Sequence, residues 1–311
     1  MAFDESLEKF TCHLQERDRS EMTVRGYHYD LQQFARWFEK TKGRSPTLET
    51  ITPIAVKEYR AYMQNVKGHK PATINRRLRS LRAFYRWAIE AGDIVADPTA
   101  GIREVKQQRL RPRALDRTET CRMIQALQER LQWALNTKGA LSGQAVRATR
   151  NLTMVVLLLH TGLRVSQLVD LKLSDIEMSE RKGGLAIRDK GNKQRQVPLN
   201  GDARKALQQW LKVRPKAESE ALFIGRGGAP LKVRGVQKVV SDLGKRAQVK
   251  RLHPYTLRHT FATRYLEANP GDLVGLATIL GHDSLETLRI YTVPNHAKLA
   301  SKVERLATSD E

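Results

Sequence analysis

Cysteine is nearly missing. Cys12 and Cys121 are the two in 311 residues, far apart and without metal-ligand spacing. A disulfide-stapled scaffold and a cysteine-based metal site are therefore excluded, and reduced thiols in a cytosolic setting are expected. No apolar run approaches the ~20 residues of a membrane-spanning helix; the longest, around 152–159, reads as a buried helix. The N-terminal stretch carries Asp4, Glu5 and Glu8 and is not expected to be a signal peptide. Acidic residues are also scarce, 33 Asp and Glu against 55 Lys and Arg, for a net charge of +22. Solubility needs far less, so the excess points to a polyanion, either nucleic acid or an anionic membrane. In a cytosolic chain nucleic acid is the expected partner, bound with an affinity that falls steeply as salt rises.

The length suits two domains. In the first, apolar Leu7, Phe10 and Leu14, then Tyr27, Leu31, Phe34 and Phe38, recur at helical spacing on either side of a break near 18–20. Thr52-Pro53 opens a third helix, with Pro at the first helical position. A fourth runs from Pro71 to about Ala91. Ile74, Leu78, Leu81, Tyr85 and Ala88 line one face, and Arg76, Arg79, Arg82 and Arg86 lie near the other with Arg77 between. No acidic residue is interspersed, so these arginines are candidate contacts to a phosphate backbone; a solvated face is the alternative. The connector from Gly101 carries Lys106, Arg109, Arg111 and Arg113 without an apolar period. It divides the chain into a helical domain at 1–104, a linker at 105–114 running along the polyanion, and a second domain at 115–311.

The second domain opens with a helix capped by Thr118, then one from Ala145 through Leu159 that stops at Thr161-Gly162, leaving Arg164 in a helix-to-helix turn. Short alternating runs at 173–178, 185–187 and 195–199 predict strands, with Lys190 at a hairpin tip. Helices follow over 202–213 and 234–247. Then comes His253-Pro254-Tyr255, a helix bearing Arg258, an apolar run ending at Leu280-Gly281-His282, and Tyr291. After Pro294, Leu299, Val303 and Leu306 mark an amphipathic tail helix at about 296–307, suited to docking on a partner. Arg offers a fixed fork to phosphate oxygens, and imidazole donates or moves a proton near neutrality. A tyrosine among such cations can attack phosphorus and form a covalent intermediate.

Thr161-Gly-Leu-Arg164, Lys190-Gly-Asn-Lys193, Leu257-Arg258-His259-Thr-Phe-Ala, Leu280-Gly-His282 and Tyr291 follow the order and approximate spacing of the tyrosine recombinases. Across essentially the whole chain the sequence resembles that phage-integrase and Xer-like family. The resemblance implies a mainly α fold with a small antiparallel β-sheet. An N-terminal helical, SAM-like core-binding domain would precede a C-terminal catalytic domain. It implies site-specific strand exchange on double-stranded DNA with paired inverted half-sites, without metal, nucleotide or other cofactor. Tyr291 would form a 3′-phosphotyrosyl link, Arg164 and Arg258 would clamp the phosphate, Lys190 would protonate the leaving 5′-oxygen and His282 would support the phosphate. A monomer in solution would assemble as a homotetramer on DNA, with room for a directionality factor or a second recombinase. Two positions depart from the pattern. Tyr255 stands where the family usually has histidine, with His253 as a substitute acid or base two residues back. Gln167 stands where an acidic residue is common. A DNA-binding architectural protein that no longer cleaves, and a type IB topoisomerase-like relaxing enzyme, are the alternatives.

Overall fold

Proline starts and glycine stops set many of the helix ends in this computed structural model, which describes residues 2–107, 113–179, 181–189, 194–281, 288 and 291. The chain divides into two compact units, Met1–Leu110 and Arg111–Glu311, with the division inside the basic connector. The first holds α1 (Phe3–Glu16), α2 (Glu21–Lys42), α3 (Pro53–Ala61, continued by a π turn to Val66) and α4 (Pro71–Glu90). Ser20 and Thr52 cap α2 and α3 through their side chains, and Gly43 ends α2 in the left-handed region at φ 68°. The core of this unit is largely aromatic. Phe3 and Phe84 lie 5.0 Å apart between ring centroids, as do Phe34 and Tyr59, and tilted and edge-on pairs of this kind add to simple area burial.

Four of the five α4 arginines have acidic partners from elsewhere in the chain. Asp30 of α2 is buried and accepts from Arg76 at 2.5 Å and Ser80 at 2.9 Å, with Arg77 at 3.8 Å. Glu104 takes Arg79 in a two-bond pair at 2.8 and 2.9 Å and Arg82 at 3.1 Å. The start of the connector thus belongs to the first unit. Buried Ile102 and half-buried Val105 pack on its core, and the Asn75 amide exchanges two hydrogen bonds with the Val105 backbone.

The second unit is built around α6 (Gly143–Thr161), whose 152–159 stretch is buried on all sides, as a helix that is apolar all round must be. It packs against α5 (Arg117–Lys138), α8 (Gly201–Val213) and α10 (Pro254–Ala268). The remaining α-helices among the described residues are α7 (Val165–Asp170), α9 (Val233–Arg246) and α11 (Leu273–Leu280). Strands β1 (Ile176–Met178), β2 (Gly183–Arg188) and β3 (Gln194–Pro198) form an antiparallel meander. Leu185 pairs with Val197 and Ile187 with Arg195, so Leu185, Ile187 and Val197 bury one face.

Two local expectations change. The helix cap at α5 is Asp116, whose carboxylate accepts from the Glu119 N–H at 2.7 Å in a reciprocal capping box, and Thr118 lies inside the helix. The stretch Leu173–Asp175 is a 3₁₀ turn, because the Asp175 side chain accepts from the Lys172 N–H at 2.8 Å and closes the backbone before β1 begins. The tail at 296–307 lies outside the described residues. No helix among those described is long and apolar enough to cross a membrane.

Candidate active site

Gly162 ends α6 at φ 64°, with the side chains of Phe261 and Leu280 so near that a Cβ would sit 2.5 and 2.6 Å from them. Only glycine fits this turn. The chain emerges extended at Arg164, whose backbone N–H donates to the Gln167 side chain at 2.8 Å and so fixes the first turn of α7. Arg258 rises from the second turn of α10 and is 3% exposed. One of its terminal nitrogens donates to the Gly162 carbonyl at 2.6 Å and the other to the Leu280 carbonyl at 3.0 Å. Both acceptors sit at helix C-termini, where the backbone carries partial negative charge.

The end of α11 collects two further guanidinium groups. Arg195 of β3 donates to the Ile279 carbonyl at 3.1 Å, and Arg164 donates to the Gly281 carbonyl at 3.3 Å. Three successive carbonyls, at 279, 280 and 281, thus each hold one arginine. The last carbonyls of any α-helix lack partners within it; here the side chains of a turn, a strand and a helix satisfy them. Gly281, in the left-handed region at φ 63°, makes the crowding tolerable, since a Cβ there would lie 2.9 Å from the Arg195 Cζ and the Asp189 Oδ2. Asp189 is the carboxylate within this group. It accepts from Arg195 at 3.0 Å and from the Gln167 amide at 2.7 Å, and lies 3.8 Å from Arg164.

Tyr291 is half-buried against a small apolar cluster that includes Ala262, Leu276, Leu280 and the fully buried Leu288. Its ring lies 5.2 Å from that of His259, which meets Tyr255 edge-on at 4.0 Å. Burial raises the Tyr291 phenol above its ordinary value, Tyr255 adds to the rise, and Arg258 opposes it. Burial also pushes Arg258 down to about 10, with Arg164 adding to the fall and Tyr291 opposing it. The same desolvation lowers Arg195, against the pull of Asp189. Among the described residues three guanidinium groups gather here with one carboxylate, which faces two of them, and a set with that surplus of positive charge is built to receive an anion.

The structure brings Arg164, Arg258, Tyr255 and Tyr291 to one place. His253 caps α10 from an exposed position without a side-chain cap bond. Lys190 and His282 lie outside the described residues, although their sequence neighbours Asp189 and Gly281 sit at the centre of the cluster. Among the arginines singled out as DNA contacts, Arg86 is exposed, Arg77 is buried, and Arg76, Arg79 and Arg82 hold the ion pairs described above. Arg113 pairs with Glu119 and the Lys250 carbonyl; Arg109 and Arg111 lie outside the described residues. Arg195 and Asp189 were missed. The available signal was alternation, which places Arg195 on the same face of β3 as buried Val197, an unusual position for a charge without a task.

The sequence profile of the phage integrase family matches residues 116–298, and that of the phage integrase N-terminal SAM-like domain matches residues 7–92. The chain is 33% identical over 300 residues to tyrosine recombinase XerC of Azotobacter vinelandii, covering 95% of this chain and 93% of that one. It is 34% identical over 284 residues to tyrosine recombinase XerC of Corynebacterium glutamicum, covering 90% and 84%. In fold it is similar to the XerH site-specific recombinase in a post-cleavage complex with palindromic difH substrate, at a TM-score of 0.74 and 22% identity over 97% of this chain and 83% of that one. The Tn1549 transposon integrase in complex with transposon right end DNA gives a TM-score of 0.74 and 22% identity over 99% and 100%. Similarity at this level over nearly the whole length settles the kinship: the chain belongs to the phage integrase family of tyrosine recombinases, enzymes of DNA strand exchange.

Proposed function

We propose that Tyr291 is the nucleophile with which this recombinase cuts and rejoins double-stranded DNA at paired inverted half-sites. The observation that carries the reading is the seating of three guanidinium groups on the closing carbonyls of α11, with the Tyr291 phenol in the field of Arg258. The phenol oxygen attacks phosphorus, the bond to the 5′-oxygen breaks, and a 3′-phosphotyrosyl link forms. Arg164 and Arg258 meet the charge that grows on the non-bridging oxygens, where each preorganised donor contributes about 3 kcal/mol. Lys190 gives a proton to the leaving 5′-oxygen and His282 supports the phosphate. A 5′-hydroxyl from another strand then reverses the steps. One phosphoester replaces another, so the exchange needs no nucleotide to drive it.

Burial holds the Tyr291 phenol neutral, so its proton passes to solvent water before the phenolate attacks, and the proton taken by the leaving 5′-oxygen comes from Lys190. We assign the usual histidine position to Tyr255 over His253, because Tyr255 stands at the motif position three residues before Arg258 and its ring meets that of His259, which neighbours Tyr291. In the first unit, exposed Arg86 and largely exposed Arg79 are the best-placed phosphate contacts of α4, whereas Arg77 serves the fold. Four copies act on two sites through a Holliday junction, the tail at 296–307 packing on a neighbour by its Leu299, Val303 and Leu306 stripe. The proposed setting is integration and excision of a mobile element on cytoplasmic, nucleoid DNA, supported by the two motif departures that mark a divergent member. The test is covalent capture on a nicked half-site duplex from which the cut strand diffuses away. The wild-type protein should yield a detergent-resistant adduct that Tyr291→Phe abolishes while DNA binding persists. Persistence of the adduct in Tyr291→Phe would assign the nucleophile elsewhere.

A further inference from the structure

We infer that Asp189 is a positioning residue of the active site, acting with Gln167 as a matched carboxylate–amide pair that sets the spacing between Arg164 and Arg195. The inference rests on the recombinase reading above and extends it to two residues that do not touch the reacting atoms.

The orientation of the Gln167 amide follows from its partners. Its oxygen faces the Arg164 backbone N–H at 2.8 Å, and its NH₂ group faces the Asp189 carboxylate at 2.7 Å. A flipped amide would set donor against donor and acceptor against acceptor. Gln167 is buried at 9% exposure, so neither end has water as a ready substitute. Asp189 then turns its other oxygen to Arg195 at 3.0 Å, and Arg195 is anchored to the Ile279 carbonyl. One connected path runs from the Arg164 backbone through the amide and the carboxylate to Arg195 and the end of α11. Asp189 also lies against Gly281 and directly precedes Lys190, so the path ties the base of the β2–β3 connection to the turn before His282.

The charges explain why the pair has this composition. Among the described residues the charged groups facing Asp189 are Arg164 and Arg195. One carboxylate between them moderates their repulsion and leaves a positive surplus for a phosphate. A second carboxylate at position 167 would lie at hydrogen-bond distance from the first, and two such groups cannot both ionise comfortably. An amide at both positions would leave Arg164 and Arg195 without a counter-charge. Gln167, which departs from the family's acidic residue, is therefore complemented by a carboxylate delivered from the end of β2.

The test compares Asp189→Asn, Gln167→Glu and the double substitution Q167E/D189N with the wild-type protein in single-turnover adduct formation on the nicked half-site, with DNA affinity measured in parallel. Each single substitution should slow adduct formation about 10- to 100-fold through misplacement of Arg164. The double substitution exchanges the two groups and keeps both the bonds and the charge, so the rate should return to within about threefold of wild type. Gln167→Glu carries a signature that a merely structural defect would not show. As pH falls, one of its two paired carboxyls takes up the shared proton and donates as the amide did, so its deficit relative to wild type should shrink on acidification. Affinity should stay constant throughout. Should Asp189→Asn unfold the domain, the double substitution still decides the matter. An exchange no faster than the slower single variant overturns the matched pair, as do single variants at the wild-type rate. Absence of adduct from the wild-type protein would instead sink the recombinase reading on which the inference rests.

Discussion

Replacing Arg258 with lysine keeps the positive charge and removes the fork, which separates two contributions that alanine would remove together. The guanidinium spans two carbonyls on different helix ends, Gly162 at 2.6 Å and Leu280 at 3.0 Å, and is almost wholly buried. A lysine ammonium is a point charge that can face one of these acceptors and loses the planar bridge between them. Losing one charge-assisted hydrogen bond costs about 1.5–3 kcal/mol of stability. For a unit of about 200 residues, at about 2–4 °C per kcal/mol, that lowers the melting temperature by about 3–12 °C. The loss in the transition state is larger. A preorganised donor aimed at developing charge contributes about 2.7–4 kcal/mol, so Arg258→Lys should slow adduct formation about 10²- to 10³-fold. DNA affinity should change less than about threefold, because one phosphate contact among many is altered without loss of charge. Single-turnover capture, a binding titration and thermal melting of the same preparations give the three readings. A rate within about tenfold of wild type would mean that charge alone suffices and the fork is incidental. A fall in affinity equal to the fall in rate would place Arg258 in ground-state binding.

Three further outcomes are expected. Gly162→Ala forces a Cβ to within 2.5 Å of Phe261 and 2.6 Å of Leu280 at a φ of 64°, and should cost about 2–5 kcal/mol in urea denaturation; a loss under about 1 kcal/mol would show that the turn relaxes freely. Asp30→Ala leaves Arg77 buried without its carboxylate and should destabilise the first unit by about 3–5 kcal/mol, whereas the half-exposed Arg76 contact adds little; an unchanged denaturation midpoint would refute the buried network. Adduct formation should rise with pH across the range from about 6 to 9, because burial raises the Tyr291 phenol and its reactive phenolate grows with each unit. The rate should fall again above about 10, where Arg258 gives up its proton, and a plateau beginning below neutrality would contradict this account.

Much of the site is legible in the sequence because its supports are local signals. Pro53, Pro71 and Pro254 occupy first helical positions, and Gly162 and Gly281 end helices in the left-handed region. Those stops deliver Arg164 and the turn before His282 without any knowledge of tertiary contacts. The start of α5 was also written locally, as Asp116 followed three residues later by Glu119, and Thr118 competed for the reading. What the sequence hides is pairing across distance. The basic face of α4 has no acidic neighbour along the helix, yet Asp30 and Glu104 reach it from α2 and from the connector. Such partners are set by packing, which no periodicity reports. Asp189 and Arg195 escaped for the same reason, since each gains meaning only when β3 is laid beside the end of α11.

The end of α11 also explains how so much positive charge can be gathered before DNA is bound. Desolvating a guanidinium as deeply as Arg258 carries a penalty, visible in the fall of its proton affinity to about 10. That value still leaves it charged at neutral pH. Carbonyl oxygens at two helix ends offset part of the cost for Arg258, and the Ile279 carbonyl and Asp189 do so for Arg195. The helix itself cannot readily shift, because Leu276 and Leu280 are fully buried against α10. A rigid seat has a catalytic consequence: groups already aligned need no reorganisation as charge develops on phosphorus. The same seat makes the cluster a single unit, so substitutions at Arg258, Arg195 and Gly281 should not add. A double substitution within the cluster that cost the full sum of its single effects would show the arginines to be independent.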